Sequence, residues 1–302
     1  MADARDEGRH PAGEERLWGE SWYFDFVSTT GDLGGYVRLG LYPNLGVAWY
    51  WACLVVAGRP FVVVRDHEVA LPRGQSLEVR AEGLWSAITC ETANEHWSIG
   101  LEAFGVAMDD PADAYRGERG DRVPLGLDLE WEAAAPVFDY PGPTRYEQAC
   151  TVHGEVLVGV ERLAFDGFGQ RDHSWGVRDW WAFPWCWSAG RLADDGTVFH
   201  GVRGGPEDAW QFEIGYLIPP GGPTEALSKV SVDTTLGPEG LPESASIGLG
   251  ALSLEVTPLA HAPLLLESPD HQRSRFPRSL CRFDAVDGRS GFGWVEWLQP
   301  VS

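Results

Sequence analysis

The sequence predicts an all-β protein made of short antiparallel strands. Apolar and polar side chains alternate with a period of two along many segments, as where Trp22, Phe24 and Phe26 share one face. Turn residues such as Gly58-Arg59-Pro60 and Asp287-Gly288 separate these segments. Helical periodicity is scarce, and 15 tryptophans with 37 glycines favour twisted sheets and aromatic-lined cavities over helical bundles.

Two domains are expected because a segment rich in proline and glycine, 134–144, separates two sets of strand segments. We therefore place an N-terminal β domain at 17–140 and a C-terminal β domain at 141–302. Residues 1–16 are charged and aperiodic, which predicts a mobile tail. Each set of strands is expected to form a barrel or a sandwich, and a small barrel can enclose one small ligand.

The charge balance argues against several classes of partner. The 302 residues include 45 Asp and Glu against 23 Lys and Arg, and the net charge of −22 repels phosphate backbones and anionic membranes. We expect no nucleic-acid partner and no membrane insertion, since the longest apolar run, 47–57, is too short for a helical span. Residues 1–20 contain no apolar signal-peptide core, which predicts a cytoplasmic location.

The segment 165–181 concentrates groups that can do chemistry: three carboxylates, two arginines, one histidine and three tryptophans. Ionisable groups beside large aromatic faces are typical of a dry, shaped pocket. Asp172 and His173 are the candidate general acid or acid/base pair, and Asp179 is a further catalytic candidate. Neighbours on a strand point to opposite faces, so this pair can share a cavity only if the chain turns between the flanking glycines.

The same charged residues have a structural alternative. Arg171, Asp172, Arg178 and Asp179 could form an ion-pair network that closes one barrel mouth, because buried charges need partners. Arg171 remains a candidate substrate-binding residue beside the acid.

The tryptophans indicate the kind of substrate. Indole faces stabilise cations, by about 1 to 2 kcal/mol each when desolvated. Tryptophans around the acid could therefore hold an apolar polyene and stabilise a carbocation formed by its protonation. The alternative is that they are core aromatics of a large β protein. The candidate substrate-binding tryptophans are Trp49, Trp51, Trp175, Trp180, Trp181, Trp185 and Trp187.

Two further patterns favour other chemistry but are weaker. Asp109-Asp110-Pro111-Ala112-Asp113 matches D-D-x-x-D, the magnesium-binding signature of ionisation-type terpene synthases, yet a solvated acidic turn with Asp110 as N-cap fits it better. His153, His173 and His200 fit no metal-ligand spacing, so we expect no metal. The sequence lacks a phosphate loop, a dinucleotide fingerprint and a G-x-S-x-G elbow, and no cofactor is expected.

The motif Gly167-Phe168-Gly169-Gln170-Arg171-Asp172-His173-Ser174-Trp175-Gly176 resembles the G-x-G-x-x-D-H-x-W-G element of the carotenoid-hydratase-like (AttH-like) superfamily. Its relatives include kievitone hydratase and decalin-forming Diels-Alderases, and the segments 146–154 and 287–296 resemble the family too. The resemblance implies two lipocalin-like (calycin) domains, a hydrophobic pocket between or within them, and no obligatory cofactor. It places the family's D-H pair on Asp172 and His173. Arg171 and Ser174 stand where the hydratases often carry His and Asn, which leaves substrate and outcome open.

These observations predict a cofactor-independent enzyme that acts on a hydrophobic isoprenoid or polyketide. Asp172, assisted by His173, would initiate cyclisation or isomerisation, or else hydration, and a dry pocket favours the first two. One alternative is a non-catalytic double calycin that binds a lipid or terpenoid. Another is a carbohydrate-active enzyme, because sugars stack on indoles and carboxylate pairs hydrolyse glycosides. The expected partner is a small hydrophobic molecule, and a homodimer through edge strands stays open.

Overall fold

The computed structural model describes residues 3–206, 211–268 and 270–301. These residues form 22 β-strands and three short 3-10 helices at Ala4–Glu7, Pro43–Leu45 and Pro111–Tyr115. Every strand pairing among them is antiparallel. The prediction of an all-β fold built from two calycin-like units is confirmed by two large curled sheets.

The first sheet closes into a barrel. Its strands are β1 Trp18–Ser28, β2 Leu33–Tyr42, β3 Val47–Val56, β4 Phe61–Ala70, β5 Glu78–Ala81, β6 Leu84–Thr92, β7 His96–Met108, β8 Asp121–Ala133, β9 Phe138–Asp139, β10 Arg145–Val158 and β11 Glu161–Val177. They follow the order β4-β3-β2-β1-β11-β10-β8-β7-β6-β5, with β9 beside β10. A further pairing between β4 and β7, where Val62 lies opposite Ala107, completes a ring of eight strands.

The second sheet contains the rest of the chain. Its strands are β12 Trp185–Leu192, β13 Val198–Gly204, β14 Phe212–Ile218, β15 Glu225–Leu227, β16 Val230–Leu236, β17 Pro242–Leu249, β18 Leu252–His261, β19 Leu264–Glu267, β20 Arg273–Phe276, β21 Arg278–Ala285 and β22 Ser290–Val301. Their order is β15-β14-β13-β12-β22-β21-β18-β17-β16, and the β19–β20 hairpin joins through β22.

The change from one sheet to the other does not fall at the boundary expected after residue 140. Both β10 and β11 are hydrogen-bonded into the first sheet, where β11 lies between β1 and β10. The segment 134–144 is therefore a connection inside the first barrel, and the chain passes to the second sheet between Val177 and Trp185. Proline and glycine mark loops within a domain as readily as loops between domains, so composition alone misplaced the boundary.

The N-terminal segment contacts the first barrel instead of forming the expected mobile tail. Its 3-10 helix begins after Asp3, whose side chain accepts a hydrogen bond from the Arg5 amide. Glu7, at the end of that helix, is only 5% exposed. Asn44 on the barrel donates hydrogen bonds to the carbonyl oxygens of Gly13 and Glu15, so the segment is held at both ends.

Three apolar clusters fill the molecule. One consists of side chains from the first sheet alone and one of side chains from the second sheet alone. The third joins the two sheets and includes Tyr23 and Trp51 from the first and Trp187 and Trp294 from the second. No helix among the described residues is long and apolar enough to cross a bilayer.

Candidate active site between the two sheets

A cavity of about 470 Å³ lies where the two sheets meet. Strands of both sheets contribute to its wall, together with the connection between them. One part of the wall is aromatic and contains Trp51, Trp180, Phe183, Trp185, Trp187 and Phe276. The other part is charged and contains Arg38, Arg145, Asp172, Arg178, Arg278 and Glu296. The cavity therefore suits a mostly apolar molecule with one polar end.

Asp172 lies in this wall, but His173 does not. β11 continues as a strand through both residues, so their side chains leave on opposite faces. Gly169 does not make the turn that would bring them together. A Cβ at that position would lie 1.9 Å from the carbonyl oxygen of Asp25, so the glycine permits close approach of β1. The expectation that Asp172 and His173 share one cavity was wrong.

His173 is fully buried on the opposite face of β11. Its Nδ1 lies 2.6 Å from the carbonyl oxygen of Asp6, and its Nε2 lies 2.9 Å from Glu20. The ring stacks on Trp22 at a centroid distance of 4.4 Å. The Nδ1 contact thus holds the N-terminal segment against the barrel, and the Nε2 contact joins β11 to β1.

Arg171 and Trp175 share that face with His173. The Arg171 guanidinium donates to both carboxylate oxygens of Glu7, at 2.7 and 3.0 Å, and to the side-chain oxygen of Gln148. Trp175 stacks on His10 with ring centroids 3.9 Å apart. Neither residue lines the cavity, so their expected role in substrate binding is not supported by their positions.

Asp172 is 7% exposed and accepts a hydrogen bond of 2.9 Å from Arg145. Burial raises the pKa of Asp172 from its ordinary 3.8 to about 7. Arg145 opposes this shift, whereas the negative charges of Glu147 and Glu296 add to it. A carboxyl with this pKa carries a proton in a large fraction of molecules near neutrality, which a general acid requires.

Glu147 anchors the arginine that holds Asp172. It is completely buried and accepts hydrogen bonds from Arg145, Gln170 and Trp187, and the Tyr140 hydroxyl lies 3.1 Å away. Burial by itself would raise its pKa, but Arg145 and these donors hold the pKa below its usual range. Glu147 is therefore a fixed negative charge behind the cavity wall. Its position 25 residues before Asp172 gave no signal in the sequence, because only the β10–β11 register brings it near.

A histidine and a tyrosine extend this network. His200 Nδ1 lies 3.0 Å from the carbonyl oxygen of Ser188, which can only accept, so Nδ1 carries the proton. His200 Nε2 is then free to accept from the Tyr140 hydroxyl, 2.6 Å away. Burial lowers the pKa of His200 to about 4, in agreement with a neutral ring.

A second ion pair lies elsewhere in the wall. Arg278 pairs with Glu296, and its guanidinium lies over the rings of Tyr23 and Tyr36 at 4.4 and 4.0 Å. Burial raises the pKa of Glu296, and Arg278 counteracts part of that effect. This pair could not be predicted from the sequence, since the residues meet only through the β21–β22 register.

The predicted tryptophan cage is only partly present. Trp51, Trp180, Trp185 and Trp187 line the cavity, whereas Trp49 and Trp181 pack edge to face beside it, with centroids 6.4 Å apart. Arg38 already covers Trp51 and Trp180, at 4.5 and 5.0 Å from their ring centroids. Those two indole faces hold a cation of the protein and are not free for a carbocation of the substrate.

The remaining candidates lie at the margin of the cavity or outside it. Asp179 borders the cavity but is exposed, and it accepts a hydrogen bond from the Trp181 amide in the connecting turn. Asp109 and Asp110 lie in an exposed turn, where Asp110 caps the 3-10 helix at the Ala112 amide. This is the acidic turn expected from the sequence.

The histidines considered as metal ligands do not converge. His153 is exposed, while His173 and His200 are buried in separate networks. Among the described residues, one group has ligand atoms close enough for a metal, namely His10, Glu20 and His173, within 4.8 Å of one another. Both rings lie at hydrogen-bond distance from the same Glu20 oxygen, 2.7 and 2.9 Å away.

Comparison with solved structures supports this fold along the whole chain. An AttH protein from Nitrosomonas europaea is 15% identical with a TM-score of 0.62, and the match covers 95% of this chain and 94% of that one. Kievitone hydratase from Nectria haematococca is 11% identical with a TM-score of 0.64, covering 94% of this chain and 90% of that one. CghA, a Diels-Alderase, is 11% identical with a TM-score of 0.58, covering 94% and 88%.

The resemblance to the AttH-like superfamily predicted from the sequence is thereby confirmed at the level of the fold. A search of curated proteins by sequence gave no significant match. A family model described as a domain of unknown function, DUF7064, matches residues 3–301, and the chain belongs to that family.

Proposed function

We propose that the protein is an enzyme that acts on a hydrophobic isoprenoid or polyketide, without a cofactor, and that Asp172 is its general acid. The observation that carries this proposal is the Asp172 carboxyl, 7% exposed, in the wall of a cavity between the two sheets, with its pKa raised to about 7. Acid-initiated cyclisation, isomerisation or hydration are the reactions considered. One protein of the same fold is a hydratase by name, which supports hydration, and another is a Diels-Alderase, which supports ring formation in general.

The charges in the wall favour activation of a carbonyl over formation of a carbocation. Arg38 already lies against Trp51 and Trp180, and Arg145 is bonded to Asp172. A carbocation formed beside these guanidinium groups would be repelled, whereas negative charge developing on a carbonyl oxygen would be stabilised. In this mechanism Asp172 donates a proton or a hydrogen bond to the oxygen, and the aromatic wall positions the apolar body and excludes water.

Replacement of the acid tests this proposal. Wild type and Asp172→Asn would be incubated with unsaturated isoprenoid and polyketide carbonyl compounds, and products would be quantified by mass spectrometry. We expect Asp172→Asn to lose about 10²- to 10⁴-fold in turnover, because a general acid contributes that factor. Asp166→Asn is the matched control, since Asp166 lies on the same strand but is exposed. Full turnover by Asp172→Asn would show that the acid role is wrong.

Transport of an apolar ligand without chemistry is the second candidate, and the aromatic wall of the cavity favours it. A carrier would quench its tryptophan fluorescence on binding and return the ligand unchanged, whereas an enzyme would release a product. Glycoside hydrolysis is less well supported, because it needs a second carboxyl beside the acid and Glu296 is held in an ion pair with Arg278.

A further inference from the structure

Two arginines in the cavity wall, Arg38 and Arg178, have no carboxylate partner among the residues that the structure describes. Arg38 is 5% exposed, and its one hydrogen bond is a long one of 3.4 Å to the Tyr42 hydroxyl. Its Nη1 atom has neither a partner nor contact with solvent among the described residues. Arg178 donates only to main-chain carbonyl oxygens, of Val177 and Thr144, at 3.5 and 3.4 Å.

The other buried charged side chains of the wall each have a partner of opposite charge. Arg145 lies between Asp172 and Glu147, at 2.9 and 2.7 Å, and Arg278 is paired with Glu296. Arg38, which is buried, and Arg178, which is half-buried, are therefore the cations of the wall without a carboxylate partner among the described residues. A buried cation without a partner is costly and commonly marks a position that a ligand completes.

We infer that the cavity binds an amphipathic anion, whose apolar body lies against the tryptophans and whose carboxylate or similar delocalised oxyanion is held by Arg38 and Arg178. The inference rests on the proposed function for the place of the substrate and adds its chemical class. A planar guanidinium suits such a head group, because its donors match two oxygens at once.

The electrostatic surroundings of the two arginines support this assignment. Burial, Arg145 and Arg38 together lower the pKa of Arg178 to about 10, so the three guanidinium groups act on one another. The charge of Arg38 also acts on Asp172 and on Glu296. A bound anion would relieve this mutual repulsion and would lie within the reach of the general acid.

A matched pair of retinoids tests the inference by binding alone. All-trans-retinoic acid and all-trans-retinol have the same isoprenoid body and differ in the head group, and both can be titrated by quenching of tryptophan fluorescence. We expect wild type to bind the acid at least about tenfold more tightly than the alcohol. Arg38→Met should weaken binding of the acid by about 10- to 100-fold and leave binding of the alcohol within about twofold, since only a charge-assisted contact is removed.

Arg59→Met is the control, because Arg59 forms an exposed pair with Glu161 on the first barrel. Thermal unfolding separates a binding role from a structural one. Removal of an unpaired buried charge should leave the midpoint of Arg38→Met unchanged or higher, whereas a structural role against Trp51 and Trp180 predicts a lower one.

The possible outcomes are distinguishable. Equal affinity of wild type for acid and alcohol would overturn the inference and leave the proposed function standing. Equal weakening of both ligands in Arg38→Met would overturn it as well. Absence of binding of the acid to wild type would overturn the inference too. Loss of turnover in Asp172→Asn bears on the proposed function alone.

Discussion

The two faces of strand β11 carry similar residues in different states. On one face, Arg171 is bonded to Glu7 and Gln148, and both nitrogens of His173 have partners. On the other face, Asp172 has one arginine partner and a wall position in a cavity of about 470 Å³. On the first face both of these ionisable side chains have partners and neither lines the cavity, whereas the second face borders the cavity and its charges are incompletely compensated.

The comparison of the two faces gives a criterion that separates structural from functional charged residues. Both faces are buried, and both carry charged residues that are unusual in a buried strand. Only the face with Asp172 combines a carboxyl that can release a proton near neutral pH with a cavity that can hold a substrate. On this basis we propose that Arg171 and His173 stabilise the fold and that Asp172 is the catalytic residue.

The largest effect is expected from the face of β11 that carries Arg171 and His173. Glu7→Ala leaves the Arg171 guanidinium buried without its carboxylate, which should lower the free energy of unfolding by about 3 to 5 kcal/mol. Urea unfolding followed by fluorescence would measure it. Glu161→Ala, which removes an exposed pair with Arg59, should cost less than about 1 kcal/mol. Equally small losses in both variants would contradict the docking of the N-terminal segment.

A smaller effect, dependent on pH, is expected from the face that carries Asp172. The pKa of Asp172 is about 7 in the folded chain and 3.8 ordinarily, so the folded state keeps a proton that the unfolded chain releases between those values. Stability from this group is complete below about pH 4 and is lost as the pH rises through about 7. Asp172→Asn cannot ionise and should therefore gain on wild type by on the order of 1 to 3 kcal/mol between those limits.

Urea unfolding of wild type and Asp172→Asn across this range of pH would measure the gain. Asp166→Asn, at an exposed position of the same strand, serves as the control for removal of one carboxylate. A flat difference for Asp172→Asn would mean that the carboxyl titrates normally and that the two faces of β11 are alike.

The smallest loss of stability is expected from a hydrogen bond on the face of β11 that carries Arg171 and His173. Tyr146 donates a hydrogen bond to Glu7 and lies 3.4 Å from Arg171, so Tyr146→Phe should cost about 1 to 2 kcal/mol. In the double variant with Glu7→Ala the two losses should not add, because the hydroxyl then has no carboxylate to contact. Additive losses would show that Tyr146 and Glu7 stabilise the protein independently.

The fold class could be predicted from the sequence because strand periodicity and turn residues are local signals. Local sequence also predicted that Asp172 lies near tryptophans and that Asp110 is an N-cap. One strand, β8, has a clear alternation of Leu125, Leu127, Leu129 and Trp131 on one face, and the sequence could have revealed it.

The partners of Asp172 could not be predicted, since they depend on register. Arg145 and Glu147 face Asp172 only because β10 pairs with β11, and Arg38 reaches the cavity from β2. The pairing of Asp172 with His173 failed for a related reason. A glycine can mark a turn or a close approach between strands, and its neighbours in sequence do not say which.

The position of β11 also has a consequence for how the chain folds. Trp18–Ser28 lies between Leu33–Tyr42 and Glu161–Val177, so its outer edge stays unpaired until synthesis has passed Val177. Such distant pairing slows folding and leaves an open strand edge that a second nascent chain could occupy. The strand that presents Asp172 is thus the last to enter the first barrel, and refolding yield should fall steeply with protein concentration.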